Sequence, residues 1–270
     1  MKGEPQIRIV GDRVVVEQGR RRIHETPLSD VVAAIARAAE RPGKPRVLPR
    51  GVRLVRERRD AVALAVEIPP RARTVRWLAG DSGKPFGRGA SYREYFLSFP
   101  YVVLLIVLRR GELTGLQQLY YRVEGLDAGE ELLLPNLYNV AEGYGQRCWL
   151  CLQNLGSVAE LPWPGKVERI SEHLFSAAFN QSAENHEGNS YWSSANAVDT
   201  RVKTPEAWDA ASRENPWFAL EVPWRPAKTT ASAELEGMLD RVVAPLALST
   251  SMDLAGLITG ARQPRAGRRR

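Results

Sequence analysis

Leu134–Leu155, LPNLYNVAEGYGQRCWLCLQNL, decides how the rest of the chain is read. It holds both cysteines, Cys148 and Cys151. Apolar runs of strand character precede it, and mostly helical patterns follow it. A Pro-Asn turn opens the stretch, and a loop with Gly143 and Gly145 leads into Cys148. Glycines accept positive φ and carry no side chain, so a thiol behind them is expected to be approachable.

Four readings of the cysteines follow from the residues. C-x-x-C supplies half of a zinc site, but a structural zinc takes four ligands. His24, His173 and His186 are far apart and show no ligand spacing. A thioredoxin-type redox pair wants a βαβ setting, whereas the surroundings here read as antiparallel. Both cysteines can be small buried hydrophobes, which suits Cys151 between Leu150 and Leu152. The last reading is a nucleophilic or acceptor thiol at Cys148, with Arg147 beside it and His186 able to fold back from a polar loop. No G-x-S-x-G, phosphate-binding glycine pattern or telling carboxylate pair occurs, so no cofactor or metal is expected.

Working outward, Ile7–Val10 and Val14–Glu17 read as a hairpin around Gly-Asp-Arg. Thr26-Pro27 is a helix start, and Leu28, Val31, Val32, Ile35 and Ala39 give a helix over 28–39. Val52–Arg58, Ala61–Ile68, Tyr95–Leu108 and Leu116–Val123 read as a four-stranded antiparallel meander. Tyr101–Leu108 has no polar alternation and is expected to be buried on both faces. The segment with Gly80, Gly83, Gly87 and Gly89 reads as loop. Further helices are expected at Lys166–Asn180, at Pro205–Arg213 capped by Thr204, and at Ala233–Leu246; Trp217–Trp224 reads as extended. Tyr191 and Trp192, after the polar loop, are candidates for a binding surface.

The chain has 270 residues and a formal net charge of +7. Residues 1–60 carry 15 Lys/Arg against 8 Asp/Glu, and residues 261–270 carry five Arg and no acid. The excess therefore belongs to the ends, and the body is net acidic. The tail reads as disordered and basic. Nucleic acid is a minor reading on this pattern. No apolar run reaches the ~20 residues a membrane span needs, and the start lacks a signal-peptide core; no membrane role and a cytoplasmic location are expected.

The order of helix, meander, Pro-Asn turn, glycine loop, cysteine and helices resembles the ubiquitin-conjugating enzyme fold. More narrowly, FPYVVLLIVLRRGEL, LPNLYNV…GYGQRCW and HLFSAAFN resemble the prokaryotic ubiquitin-conjugating-like family D, which includes protein B of the plasmid PRTRC systems. The likeness covers roughly residues 28–185. It implies an α+β core, taken as 26–200; outside it the residues themselves give a hairpin extension at 1–25, a helical extension at 201–260 expected to pack on the core and a disordered tail at 261–270. It implies a thioester between Cys148 and a ubiquitin-like protein, with transfer to an amine. Asn136, twelve residues before Cys148, or Asn139, nine before it, would stabilise the oxyanion, and Glu142 is the nearest base. The family histidine is Leu134 here. Cys151 is the alternative nucleophile. Implied partners are the ubiquitin-like protein, an activating enzyme and a JAB-type metallopeptidase encoded nearby, in antiphage defence or plasmid maintenance. Two other readings stand beside the enzyme: a catalytically silent scaffold for the ubiquitin-like protein or its activating enzyme, and a nucleic-acid-associated protein using the basic ends.

Overall fold

A computed structural model describes residues 5–19, 21–32, 48–78, 91–143, 145–152, 155–180, 191–192 and 198–243. The chain divides into two compact units, Met1–Arg46 with Ala244–Arg270, and Val47–Val243.

In the first unit, β1 (Pro5–Val10), β2 (Arg13–Gln18) and β3 (Arg21–Pro27) form an antiparallel sheet with β2 in the middle. The expected hairpin is there, with Gly11 at a φ of 63° in its turn. The third strand was not foreseen: Thr26-Pro27 ends β3 and leads directly into the expected helix. Residues 28–32 are helical, and the remainder of the helix expected to Ala39 lies outside the described residues. So does the basic tail.

The second unit is built on a curled eight-stranded antiparallel sheet, a half-barrel. Its main path runs β11-β12-β9-β8-β5-β4. The strands are β4 (Val52–Arg58), β5 (Ala61–Ile68), β8 (Tyr101–Arg109), β9 (Glu112–Arg122), β11 (Val140–Gly143) and β12 (Gln146–Leu150). Strands β10 (Glu131–Leu133) and β13 (Pro226–Thr230) pair with each other, and β10 also pairs with β9. The ubiquitin-conjugating-like arrangement, an N-terminal helix followed by a meander and C-terminal helices, is therefore not what the chain forms. The four meander strands are neighbours, but in a larger sheet. The cysteine stretch supplies two more of that sheet's strands rather than a loop beside it.

Turn chemistry aligns the central strands. Arg110 and Gly111 both take positive φ, 53° and 88°, as a tight hairpin with right-handed strand twist requires. Arg59 does the same between β4 and β5. Asp60 clips the two hairpin tips together, since its carboxylate accepts from both Arg109 and Arg110.

The two faces of the sheet are filled differently. Directly opposite residues share a face. Val62, Leu64, Val66 and Ile68 thus lie with Leu108, Ile106, Leu104 and Val102, and β8 is buried on both faces as expected. The opposite face carries Ala61, Ala63 and Ala65, all almost wholly buried. These small residues leave room for α3 (Ala231–Val242), which is capped by Thr230 and buries Leu235, Met238 and Leu239. Arg56 and Arg58 of β4, opposite Ala63 and Ala61, hold α3 through Glu236 and Asp240.

Between β5 and β8 the chain makes a separate hairpin, β6 (Arg71–Leu78) and β7 (Tyr92–Phe99). The single strand expected over Tyr95–Leu108 is broken at Pro100, which cannot donate to a ladder. Both edges of this hairpin are occupied. On the β6 side, Phe179 exchanges hydrogen bonds with Arg76 and Leu78 at 2.8 and 2.9 Å. On the β7 side, α2 (Pro205–Glu214) lays side chains along the strand. Asp209 accepts from the Phe96 amide at 2.6 Å, and Ser212 accepts from the Ser98 amide at 2.8 Å. Thr204 caps α2, as read from the sequence. The helix expected over Lys166–Asn180 is α1 (Trp163–Ser176). It buries Val167, Ile170 and Leu174 as expected, but ends before Asn180. Trp217–Trp224 is not extended; it contains a 3-10 turn at Phe218–Leu220.

Candidate functional site: the cysteine bulge

The hairpin of β11 and β12 turns through Gly145, whose φ is 67°. Ala141 pairs with Trp149 and Gly143 with Gln146, so Glu142 alone faces both Arg147 and Cys148. This two-against-one arrangement is a β-bulge. Its second residue, Cys148, has a φ of 52°, in the left-handed region that glycine usually fills. The sequence places the glycine three residues too early to relieve it. A non-glycine residue held there costs of order 1 kcal/mol, so the surroundings must fix it.

Tyr191 lies against it. Its hydroxyl donates to the Glu142 carboxylate at 3.4 Å, across the bulge from Cys148. Tyr191 and Trp192, read from the sequence as a binding surface, are instead both buried. The Trp192 ring packs on Trp77 and Tyr138 with centroids 4.9 and 5.2 Å apart. Tyr120 of β9 lies on the other side of the thiol. Its hydroxyl is buried and makes no hydrogen bond of ordinary geometry.

Cys148 is 0% exposed. Burial pushes its thiol well above the ordinary range, against smaller opposing effects of the Tyr191 and Tyr120 hydroxyls. Glu234 of α3 pushes the same way, and Arg147 opposes only weakly. The guanidinium of Arg147 is turned to the Ala227 carbonyl at 2.5 Å. Burial likewise pushes the Tyr120 and Tyr191 hydroxyls up, with the charge of an ionised Cys148 adding to each. All three groups are therefore neutral at physiological pH. An acceptor thiol needs the opposite: exposure and a depressed pKa.

The other residues expected at the site are placed elsewhere or do other work. Asn136 is fully buried, and its amide donates to the Val202 carbonyl at 3.4 Å. The Asn139 side chain accepts from the Asn180 amide at 3.0 Å, and its carbonyl accepts from the Cys151 amide at 2.8 Å. Both asparagines thus tie loops together, and neither is bonded to the thiol. Glu142 does lie across the bulge from Cys148, with Tyr191 on its carboxylate. Cys151 is half-buried. It lies past the end of β12, roughly 8–10 Å along the chain from Cys148, too far for a disulfide without backbone movement. His186 lies outside the described residues. Among the described residues, no three His, Cys, Asp or Glu side chains group as metal ligands would, and no helix is long and apolar enough to cross a membrane.

Sequence reasoning missed Tyr120 and the shielding role of Tyr191. Tyr120 lies in an apolar strand with nothing to mark it. Comparison with family models, curated proteins and solved structures gave no match.

Proposed function

We propose that this protein acts by holding a partner non-covalently, with Cys148 serving its core rather than accepting a thioester. The observation that carries the reading is the wholly buried Cys148 thiol, pushed above the ordinary cysteine range and enclosed by two tyrosines. A thiol must ionise and meet its carbonyl to be acylated, and both requirements run against this environment. Folds and sites separate readily from chemistry, so the words LPNLYNV…GYGQRCW still direct attention to a ubiquitin-like protein or its activating enzyme as the partner.

The test mixes the full chain with a ubiquitin-like protein, its activating enzyme and ATP, followed by non-reducing gels and size-exclusion chromatography. The expected result is co-elution with one of the two proteins and no thiol-sensitive adduct on this chain. An adduct lost in Cys148→Ala and kept in Cys151→Ala overturns the reading in favour of a conjugating enzyme. Absence of co-elution with both proteins removes the partner assignment.

A further inference from the structure

Eight arginines of the second unit form ion pairs with acids among the described residues. Arg53 pairs with Glu67, Arg58 with Glu236 and Asp240, Arg109 and Arg110 with Asp60, and Arg122 with Glu130. Two of the eight also lie on aromatic rings. Arg201 lies over Phe218 and binds Asp199; Arg213 lies over Phe96 and binds Asp209.

Arg71 and Arg73 are not among them. They share one face of β6 with Val75 and Trp77, opposite Phe99, Leu97, Tyr95 and Arg93 of β7. Val75 and Trp77 are buried, so this face runs from the core outward to the two guanidinium groups. Arg73 is half-buried, with its guanidinium 4.1 Å above the centroid of Phe175 of α1. Phe175 also packs edge-on with Phe99, centroids 5.3 Å apart. Arg71 is exposed at the rim. Among the described residues neither side chain makes an ion pair or a hydrogen bond. Desolvation, and after it the charge of Arg71, lowers the Arg73 pKa, and no carboxylate acts to raise it.

A partly desolvated cation beside a second cation, with no acid, is unfavourable unless something negative completes it. The ring under Arg73 offsets part of that and fixes the plane of the fork. A guanidinium that contacts a ring through its π-face spends none of its five N–H donors on that contact, and a planar fork of donors takes a phosphate through paired hydrogen bonds. Arg71, on a mobile stem two residues away, supplies the second charge.

We propose that Arg71 and Arg73, on the floor of Phe175, form a binding site for a phosphate group. The site is independent of the cysteine bulge and of the partner assigned above. The phosphate can belong to a small phosphorylated molecule or to a nucleic acid strand, and two probes separate these sources. Calorimetric titration of the full chain uses inorganic pyrophosphate in one arm and a single-stranded oligothymidylate in the other. The Arg71→Gln/Arg73→Gln double variant is expected to weaken binding about tenfold or more, and to reduce the dependence of oligonucleotide affinity on salt by about two counterions. Arg213→Gln, whose arginine is already matched to Asp209, is expected to change neither. Because Arg73 is half-buried, Arg71→Glu alone, at an exposed position, serves as the variant that cannot act through misfolding and is expected to abolish binding. Pyrophosphate binding sensitive to these variants places the source in a small molecule. Sensitivity confined to the oligonucleotide places it in a strand. No binding of either probe, or binding equal in wild type, the double variant and Arg71→Glu, overturns the proposal.

Discussion

The hydroxyl of Tyr191 donates to the exposed carboxylate of Glu142 at 3.4 Å, directly across the β-bulge from Cys148. A buried phenol thus spans the bulge that carries the left-handed cysteine. Tyr191→Phe keeps the ring and removes this bond. One hydrogen bond contributes about 0.5–1.5 kcal/mol, and the denaturant midpoint is expected to fall accordingly with an unchanged m-value. An unchanged midpoint would show that the hydroxyl does not anchor the bulge.

The buried thiol should also be visible in alkaline stability. In the unfolded chain Cys148 ionises near its ordinary value of 9.0, whereas burial keeps the folded thiol protonated well above that. Above pH 9 the unfolded state alone loses the proton, so stability is constant below that pH and declines above it, by up to about 1.4 kcal/mol per pH unit for this group. Tyr95, pushed up to about 12 by desolvation and by Glu206, adds a decline that begins above its ordinary value of 10. Cys148→Ala is expected to remove the part of the slope that starts near pH 9 and leave the later part. Urea midpoints measured from pH 7 to 11 in the two proteins test this.

On the acid side the sign reverses. Glu206 and Asp209 of α2 are held below the ordinary carboxylate range, first by bonds from Tyr95 and Arg213 respectively. Their contribution is complete above the ordinary values of 4.5 and 3.8 and is lost as pH falls through the lower folded values. Glu206→Gln should flatten the loss of thermal stability between neutral pH and pH 3; a variant as acid-sensitive as wild type would contradict the assignment.

The edge of β7 depends on α2 rather than on another strand. Ser212→Ala deletes the acceptor of the buried Ser98 amide and is expected to cost about 1–3 kcal/mol. Hydrogen exchange at Ser98 should quicken more than at Phe96, whose acceptor is Asp209. Equal acceleration at both would indicate that the helix detaches as a whole.

The alanine stripe of β5 sets the distance of α3 from the sheet. Ala63→Leu forces a larger side chain into a fully buried position and is expected to destabilise by about 1–3 kcal/mol. The same exchange at Ala227, on β13, tests whether the effect is particular to the interface. A neutral Ala63→Leu would mean that α3 packs loosely.

The parts of this fold that the sequence made legible are those with a strong local period. Val52–Arg58, Ala61–Ile68 and the apolar run of β8 declared themselves, and so did α2 through Thr204-Pro205. What escaped notice lacked a local signal. β6 reads RARTVRWL and drew no strand reading, although Arg71, Arg73, Val75 and Trp77 alternate toward one face. Thr26-Pro27 marked the helix start at residue 28 correctly, but nothing in the pattern showed that the same two residues also pair with β2. The cysteine stretch misled most. Its glycines suggested an open loop, yet Gly145 serves a hairpin turn and the left-handed position falls on Cys148 itself. Nothing local announces a cysteine in that conformation, and Tyr191, which packs beside it, is distant in sequence. The likeness to conjugating enzymes rested on the order of elements, and that order changes once the hairpin of β6 and β7 and the strands β10–β13 are counted.

The most direct test of the account is the reactivity of Cys148 in the folded protein. The native full chain would be exposed to a small maleimide at pH 7.5, quenched, digested and read by mass spectrometry, with a urea-unfolded sample as reference. The account predicts that Cys148 stays unmodified while half-buried Cys151 reacts, that both react on unfolding, and that Tyr191→Ala makes Cys148 reactive without unfolding the chain. Labelling of native Cys148 as fast as in the unfolded reference would contradict it and return the thiol to the candidates for covalent chemistry.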